Sequence, residues 1–266
     1  MFRFVNNQCQ FLSALTPLQP RYAKKVADTD SLIAVIIAQA MNHGNLVMAR
    51  TSDIPYHVLE SAYQQYLRQA SLHEANDGIS NAIAALPIFP YYSFDLDVLY
   101  GAVDGQKFSV ERPTVKARYS RKYFGRGKGV VAYTLLCNHI PLNGYLIGAH
   151  DYEAHHVFDI WYRNTSDIVP EVITGDMHSI NKANFAILHW FGRRFEPRYT
   201  DLNTQLQALY CVGDPARYEK YLIQPVGQID RQLIVSEKVN IDRIIATLGL
   251  KEMTQGTLIR KLCTYT

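Results

Sequence analysis

Hydrophobic residues recur at helical spacing through the first third of the chain. An apolar stretch at Leu32–Met41 follows a cluster of N-capping residues, and Gly44 is its predicted C-terminal stop. A second helix opens near Pro55, where apolar positions recur at intervals of three and four residues. A third opens at Ser71-x-x-Glu74, which has the form of a capping box. We therefore predict a small helical subdomain over residues 1–95.

The middle third changes to short strand-like runs separated by helices. The four predicted strands are Ala102–Val110, Val130–Asn138, Tyr145–Ala149 and Glu171–Thr174. The other elements are a helix at Asp151–Tyr162, a helix at about Asn181–Phe191 and a short edge strand at Phe195–Tyr199. The fold class is α/β, because this is the order of a ribonuclease-H-like mixed sheet with flanking helices. We predict this core over residues 96–201 and a helical or mixed segment over 202–266.

The composition is that of an ordinary globular protein. Of the 266 residues, 48% are hydrophobic and 19% charged, which argues against disorder. The apolar run Leu32–Met41 is too short to cross a bilayer, and the N-terminus lacks the apolar region of a secretory signal. The four cysteines lie far apart with no Cys-x-x-Cys pair, which fits a reducing compartment. We expect a cytoplasmic protein with no membrane partner.

Positive charge is concentrated in one segment, Lys107–Lys128, although the net charge is only +3. Its cations are Lys107, Arg112, Lys116, Arg118, Arg121, Lys122, Arg126 and Lys128, with Glu111 as the one opposing acid. Aromatic residues are interleaved, a pattern that favours phosphate contact with base stacking over a merely solvated loop. The predicted DNA-binding residues are Lys116, Arg118, Tyr119, Arg121, Lys122, Tyr123, Arg126 and Lys128. The segment is not a nucleotide P-loop, because Lys128 is followed by Gly129 instead of Ser or Thr.

Two aspartates are the candidate catalytic and metal-holding residues. Asp104 lies in the first predicted strand, beside the cationic segment, and Asp176 ends the fourth. These strands are neighbours in a ribonuclease-H-like sheet, so the carboxylates can face one another and offer the oxygen ligands that Mg²⁺ takes beside water and phosphate. Two such ions, about 4 Å apart, activate an attacking oxygen and stabilise a leaving oxygen. Each aspartate alone also fits a simple turn or helix cap.

A second set of titratable residues lies close in sequence to this predicted site. Glu153 is expected near the sheet end that holds the aspartates, and His178 is expected to support a metal-bound carboxylate. His155 and His156 do not have the spacing of a metal pair on a helix, so we interpret them as surface or partly buried histidines.

Several of these stretches together resemble a known family. Val103–Phe108, Arg118–Gly127, Thr174–Asp176 and Leu258–Leu262 are similar, in this order, to the DDE domain of Tn-three family transposases. The helix containing Ala34–Gly44 is similar to the one that precedes the family's first aspartate. The interval between Asp104 and Asp176 also resembles the family's. The resemblance extends over nearly the whole chain.

This resemblance implies a bacterial enzyme that binds transposon inverted repeats and target DNA, nicks the ends with Mg²⁺ and joins them in replicative transposition. It also implies that Asp104 and Asp176 are the first two acids of the DDE triad and that the full-length protein is a homo-oligomer. The family's third acid, a glutamate, lies well beyond an Arg-Lys-Leu motif like that at Arg260–Leu262, whereas this chain ends at Thr266. Glu252 precedes that motif and does not take the part. We therefore expect a fragment with an incomplete two-ion site and little or no strand-transfer activity.

Two alternatives remain open at this stage. The chain can be a DNA-binding or interaction remnant without catalysis, in which case replacing both aspartates leaves DNA affinity unchanged and nothing is cleaved. It can also be another hydrolase that uses Asp104 and Asp176 as an acid–base pair, for example on a glycoside. The cationic segment argues against this last possibility, because a cleft that binds a carbohydrate does not need a row of cations for a polyanionic backbone.

Overall fold

The computed structural model describes residues 1–19, 27–112 and 114–264, and the chain divides into two compact units. The first unit comprises residues 1–96 with 137–143 and 164–169, and the second comprises 97–136, 144–163 and 170–266. None of the helices in the described ranges has the length and apolar character needed to cross a membrane. The three-segment division of the sequence stays a prediction.

The first unit is mainly helical, as predicted. Its helices are α1 (Phe2–Cys9), α2 (Thr29–Ala40), α3 (Gly44–Thr51), α4 (Tyr56–Tyr66) and α5 (Gln69–Ala84). Asp28 caps α2 by accepting a hydrogen bond from the backbone N–H of Ser31 at 2.6 Å. Val35 and Ala38 of α2 and Leu59 of α4 are fully buried, so these two helices share a core.

Two predicted helix boundaries are wrong. Gly44 does not end α2 but begins α3, because the chain reverses through left-handed backbone at Asn42 and at Gly44 itself (φ 71°). Ser71 does not open a helix with Glu74, since α5 begins two residues earlier and Ser71 is its third residue. The buried Ser71 hydroxyl instead accepts from the N–H of Arg68 at 3.2 Å and donates to the carbonyl of Tyr66 at 2.8 Å.

The described residues contain a sheet of six strands, and most residues of this sheet belong to the second unit. Its strands are β1 (Tyr100–Val110), β2 (Arg118–Tyr119), β3 (Lys128–Cys137), β4 (Ile140–Gly148), β5 (Val172–Gly175) and β6 (Arg194–Phe195). They lie in the order β2-β3-β1-β5-β6, and β4 also pairs with β3. β5 is parallel to both β1 and β6, whereas β2 and β3 are antiparallel. This mixed sheet with flanking helices confirms the predicted ribonuclease-H-like architecture.

The edge strand β6 is shorter than the predicted Phe195–Tyr199. Its contact with β5 nevertheless extends past Phe195, because the N–H groups of Glu196 and Arg198 donate to carbonyls of β5 at 2.9 and 2.8 Å. Pro197 occupies the position between these two donors, where no ladder hydrogen bond is required of it.

Two helices flank the sheet, α7 (Val157–Tyr162) and α8 (Lys182–Trp190). The helix predicted from Asp151 is wrong in its first turn, which is a 3₁₀ turn at Glu153–His156. Here the Asp151 carboxylate accepts the N–H of Gly148 at 2.8 Å and forms a tight turn before the helix begins. The apolar face of α7 is buried as predicted.

The last part of the second unit mixes short strands and helices. After a four-residue helix α6 (Arg121–Phe124) in the cationic segment, the elements are α9 (Leu202–Leu206), the parallel pair β7 (Tyr210–Cys211) and β8 (Gly227–Gln228), α10 (Arg231–Ser236), α11 (Lys238–Gly249) and α12 (Gln255–Thr264). α12 packs against the 3₁₀ turn at Glu153–His156, with Leu258 and Ile259 buried. The C-terminal helix therefore belongs to the same compact unit as the sheet.

Candidate catalytic and nucleic-acid site

The strand register brings Asp104 and Asp176 to the same place in the sheet. Val103 of β1 lies opposite Gly175 of the parallel strand β5, and each aspartate is the next residue of its chain. Asp104 is exposed and Asp176 is half-buried, so both carboxylates reach solvent. We call these two residues the aspartate pair.

Asp176 is held by the turn that follows it. Its carboxylate accepts the backbone N–H of His178 at 2.9 Å, and Nδ1 of the His178 ring lies 2.8 Å from Oδ2. Partial burial opposes the charge, but the hydrogen bonds from His178 outweigh it and lower the pKa of Asp176. His178 therefore contacts the Asp176 carboxylate and favours its ionised form, while its support of a metal-bound carboxylate stays a prediction.

Glu153 lies directly against the residue that follows Asp104. Its side chain is buried, and its Oε1 receives Nζ of Lys107 at 2.6 Å. A Cβ atom added to Gly105 would lie only 2.4 Å from Oε2 of Glu153, so a larger residue at that position of β1 would displace the Glu153 side chain or the strand. Burial disfavours the charge of Lys107, yet the hydrogen bond and charge of Glu153 raise its pKa.

Tyr133 is a buried phenol whose pKa depends on the acids of the candidate site. Tyr133 of β3 is fully buried, and this burial raises the pKa of its hydroxyl far above the ordinary value. The negative charges of Glu153, Asp176 and Asp104 act in the same direction. The pKa of Tyr133 thus depends on all three carboxylates, whereas the sequence predicted only that this residue lies in a strand.

A buried amide network supports the turn after Asp176. The side chains of Asn184 and Gln255 are fully buried and bonded to each other, with the Gln255 amide donating to the Asn184 oxygen. Asn184 donates in turn to the carbonyls of Ala154 and Ser179, each at 2.9 Å, and Gln255 accepts the N–H of Phe158 at 2.9 Å. The network joins α7, α8 and α12 behind the site, and sequence reasoning missed it.

The predicted DNA-binding residues are all exposed, and four of them line two different cavities. Lys116 and Arg118 line a cavity of 740 Å³, whereas Arg126 and Lys128 line a separate one of 520 Å³ beside Phe124. Between these two pairs in the sequence, the Tyr123 ring is contacted by Nζ of Lys122 at 4.9 Å and by Nζ of Lys107 at 4.6 Å from its centroid.

The donor set of the aspartate pair fits a hard divalent cation. Two solvent-accessible carboxylates suit Mg²⁺, which keeps several waters and takes further oxygens from a phosphate substrate. Over the described ranges there is no cluster of three or more His, Cys, Asp or Glu residues able to hold a metal ion. That the metal site of this chain is incomplete stays a prediction from the sequence.

Comparison with known proteins shows the family. The model of the Tn3 transposase DDE domain matches residues 1–266. The chain is 27% identical over 234 residues to the transposase for transposon Tn4556 of Streptomyces fradiae, covering 87% of this chain and 26% of the relative. It is 23% identical over 235 residues to the transposase for transposon gamma-delta of Escherichia coli, covering 87% of this chain and 23% of the relative.

A third relative, the transposase for transposon Tn1546 of Enterococcus faecium, is 22% identical over 242 residues, or 90% of this chain and 24% of the relative. The chain spans about a quarter of the length of the curated relatives it matches. Because the family match covers every residue, the chain belongs to the Tn3 transposase DDE domain family.

Proposed function

We propose that this chain is the part of a transposase that binds DNA and holds Mg²⁺ at Asp104 and Asp176 for phosphodiester chemistry. The observation that supports this most directly is the register of β1 and β5, in which Val103 and Gly175, the residues directly before the two aspartates, lie opposite one another. Family membership supplies the class of reaction, because the relatives are transposases.

The protein groups around the aspartate pair have distinct tasks in this proposal. His178 keeps Asp176 ionised and fixes its orientation through two hydrogen bonds. Lys107 neutralises the buried charge of Glu153, so that Glu153 supports the backbone beside Asp104. Asp104 and Asp176 would hold the divalent cations, which would supply activation of an attacking oxygen and stabilisation of a leaving oxygen of a phosphodiester.

The DNA substrate is held by the exposed cations and aromatic residues of the segment Lys107–Lys128. Arg118, Arg121, Lys122 and Arg126 contact phosphates instead of reading bases, which makes the binding salt-dependent and tolerant of sequence. Tyr119 and Tyr123 provide exposed rings for base stacking. In the whole transposase the DNA comprises transposon inverted repeats and target DNA, and the assembled form is a homo-oligomer.

Nicking and strand transfer belong to the whole transposase in this proposal. The chain spans about a quarter of the length of the curated relatives it matches, so we assign DNA and metal binding to this chain and propose that it has little or no strand-transfer activity by itself. The same observation favours the second candidate function, a DNA-binding protein without catalysis. The two differ in whether the aspartate pair binds a divalent ion.

Metal binding by the aspartate pair is the test. Mn²⁺, which is paramagnetic and has the ligand preferences of Mg²⁺, is titrated into the purified chain and free ion is measured by electron paramagnetic resonance. We expect Asp104→Asn and Asp176→Asn each to weaken Mn²⁺ binding at least tenfold, about 1.4 kcal/mol. The exposed Asp53→Asn in the first unit is the matched control and leaves binding unchanged.

Two further readouts separate the candidate functions. Equal Mn²⁺ binding by the wild type and both variants would show that the aspartate pair does not bind the metal. It would favour the second candidate function, a DNA-binding protein without catalysis. Mg²⁺-dependent nicking of inverted-repeat DNA by the isolated chain would instead contradict the proposed lack of activity of this chain by itself.

A further inference from the structure

The second unit contains a cavity of 740 Å³ that does not include the aspartate pair. Its walls come from the segment around β2, the end of β4, the 3₁₀ turn at Glu153–His156, α7 and the first turns of α12. Four cations line it, namely Lys116, Arg118, Arg163 and Arg260. Its volume lies within the range of cavities that bind molecules the size of a nucleotide. We call it the cationic cavity.

The two acids that line the cationic cavity are engaged in internal hydrogen bonds. The Asp151 carboxylate accepts the N–H of Gly148 at 2.8 Å, and the Asp159 carboxylate accepts the N–H of Gln255 at 3.0 Å. Burial raises the pKa of Asp159, so its environment disfavours its negative charge. These acids therefore serve the fold, and the cavity as a whole favours an anion.

The cation Arg118 is oriented without losing its charge. Its guanidinium donates to the carbonyls of Val115 and Ala117 at 2.7 and 3.0 Å, which are neutral acceptors. Its aliphatic stem lies over Gly148, where an added Cβ would be 2.8 Å from Cγ of Arg118. A fixed guanidinium at a concave surface is well suited to recognise a phosphate.

An aromatic side chain also lines the cationic cavity. Thr254 and Thr257 line it too, but their hydroxyls are bonded to each other at 2.8 Å and Thr254 accepts the N–H of Thr257 at 3.2 Å, so they cap α12. Tyr152 lines the cavity with its ring 47% exposed, while its hydroxyl is bonded to the carbonyl of Ile180 at 3.0 Å. An anchored, exposed ring beside several cations is the arrangement that binds a base and its phosphate together.

We infer that the cationic cavity is a second phosphate site, which holds the backbone of a single DNA strand at a place separate from the aspartate pair. This inference rests on the proposed DNA-binding function and extends it to Arg163 and Arg260. It also gives a role to the Arg-Lys-Leu motif at Arg260–Leu262, since α12 brings Arg260 into the cavity with Lys116 and Arg118. DNA is favoured over a free nucleotide because exposed cations continue along the chain beyond the cavity, at Arg121 and Lys122 just after β2.

The inference is tested by the salt dependence of DNA binding. A fluorescein-labelled single strand of 15 nucleotides is titrated with the protein by anisotropy at several salt concentrations. For Arg163→Gln and Arg260→Gln we expect the slope of log affinity against log salt to fall by about 0.7 per variant, or roughly fivefold in affinity for each tenfold of salt. Arg50→Gln, an exposed arginine of the first unit, is the charge-matched control with an unchanged slope.

Further arms exclude a trivial result. Circular dichroism confirms that each variant is folded, and Arg260→Lys, which retains the charge, is expected to restore most of the slope. An unchanged slope in both Gln variants, or an equal loss in Arg50→Gln, overturns the inference. Excess deoxythymidine monophosphate is then added as a competitor of the labelled DNA. Displacement of DNA from the wild type but not from the variants supports the inference. Binding of that nucleotide or of inorganic phosphate that is lost in Arg163→Gln and Arg260→Gln, while the salt slope of DNA binding stays unchanged in both variants, indicates a small-anion site. This result overturns the DNA assignment.

Failure of this inference is distinguishable from failure of the proposed function. The Mn²⁺ titration reports on Asp104 and Asp176, neither of which lines the cationic cavity. Normal Mn²⁺ binding in Arg163→Gln and Arg260→Gln is expected in either case.

Discussion

Nδ1 of His178 lies 2.8 Å from Oδ2 of Asp176, and the backbone N–H of the same histidine donates to the other carboxylate oxygen at 2.9 Å. One residue thus contacts both oxygens of the second candidate metal ligand. The arrangement follows from the short 3₁₀ turn at Met177–Ser179, for which Asp176 is the N-cap. It lowers the pKa of the carboxyl group although partial burial acts against it.

Replacing His178 by alanine should raise the pKa of Asp176 toward its ordinary value. The ring hydrogen bond favours the ionised carboxylate and is lost, while the backbone hydrogen bond remains. Because the folded-state pKa is lowered, Asp176 stabilises the fold above its unfolded-state pKa, and this contribution is lost as pH falls through the folded value. In His178→Ala this contribution is smaller, and its loss is complete at a higher pH. Carbon-13 NMR titration of the Asp176 carboxyl in metal-free protein measures the shift.

The control for this titration is the exposed His57→Gln in the first unit, which should leave the Asp176 curve unchanged. An identical Asp176 titration in wild type and His178→Ala would mean that the ring does not bond this carboxylate in solution.

Gly105→Ala should destabilise the second unit and displace Glu153. The added Cβ would lie 2.4 Å from Oε2 of Glu153 and 2.8 Å from Cγ1 of Val131, distances that force one of the two to move. We expect a loss of about 1–3 kcal/mol in the free energy of unfolding, as for other overpacked sites. Urea denaturation followed by tryptophan fluorescence measures it, because Trp161 belongs to the same unit.

Gly144→Ala is the matched control, since an added Cβ there meets its nearest atom at an ordinary 3.5 Å. This change should be neutral or slightly stabilising through the lower entropy of the unfolded chain. Equal effects of the two substitutions would show that Glu153 does not pack against Gly105.

The aspartate pair was predictable because it depends on strand order alone. Once β1 and β5 are recognised as neighbouring parallel strands, Asp104 and Asp176 follow from their positions near equivalent points of the two strands. Lys107 was not predictable in the same way. By composition it belongs to the cationic segment, but the approach of the Glu153 turn to β1 makes it a partner of a buried carboxylate.

The cationic cavity and the amide network lay beyond sequence reasoning for a related reason. Asn184 and Gln255 are far apart in the chain, and either residue in isolation reads as an exposed polar position on a helix. Their burial depends on how α12 packs against the core, which local periodicity does not specify. The same packing determines that Arg260 shares a cavity with Lys116 and Arg118.

Gln255→Leu should destabilise the second unit strongly, although it changes the volume of the side chain only slightly. The substitution leaves the N–H of Phe158 and the side-chain oxygen of Asn184 without their partners in a buried environment. Each orphaned group costs about 1–3 kcal/mol. Hydrogen exchange of the Phe158 amide should accelerate together with the loss in urea stability. The exposed Gln232→Leu in α10 should change neither quantity, and slow exchange of Phe158 in Gln255→Leu would contradict the network.

Acid should destabilise the protein in part through His156. Burial, aided by the nearby cations of His155, Lys116 and Arg260 and opposed by Asp151, lowers its pKa to about 4 from the ordinary 6.5. A histidine whose folded-state pKa is lowered binds more protons when unfolded, so its contribution to stability is complete at pH 7 and is lost as pH falls from about 6.5 toward 4. A shift of this size corresponds to at most about 3 kcal/mol.

His156→Gln should therefore flatten the fall in melting temperature between pH 6.5 and 4.5, even if the variant is less stable at pH 7. Differential scanning calorimetry at half-unit pH steps measures the two curves. The exposed His57→Gln serves as control and should follow the wild-type curve. Parallel curves for wild type and His156→Gln would show that the imidazole is not held neutral. Water would then have to reach the His156 ring, whose centroid lies 6.4 Å from that of Tyr133 and 6.0 Å from that of Tyr145.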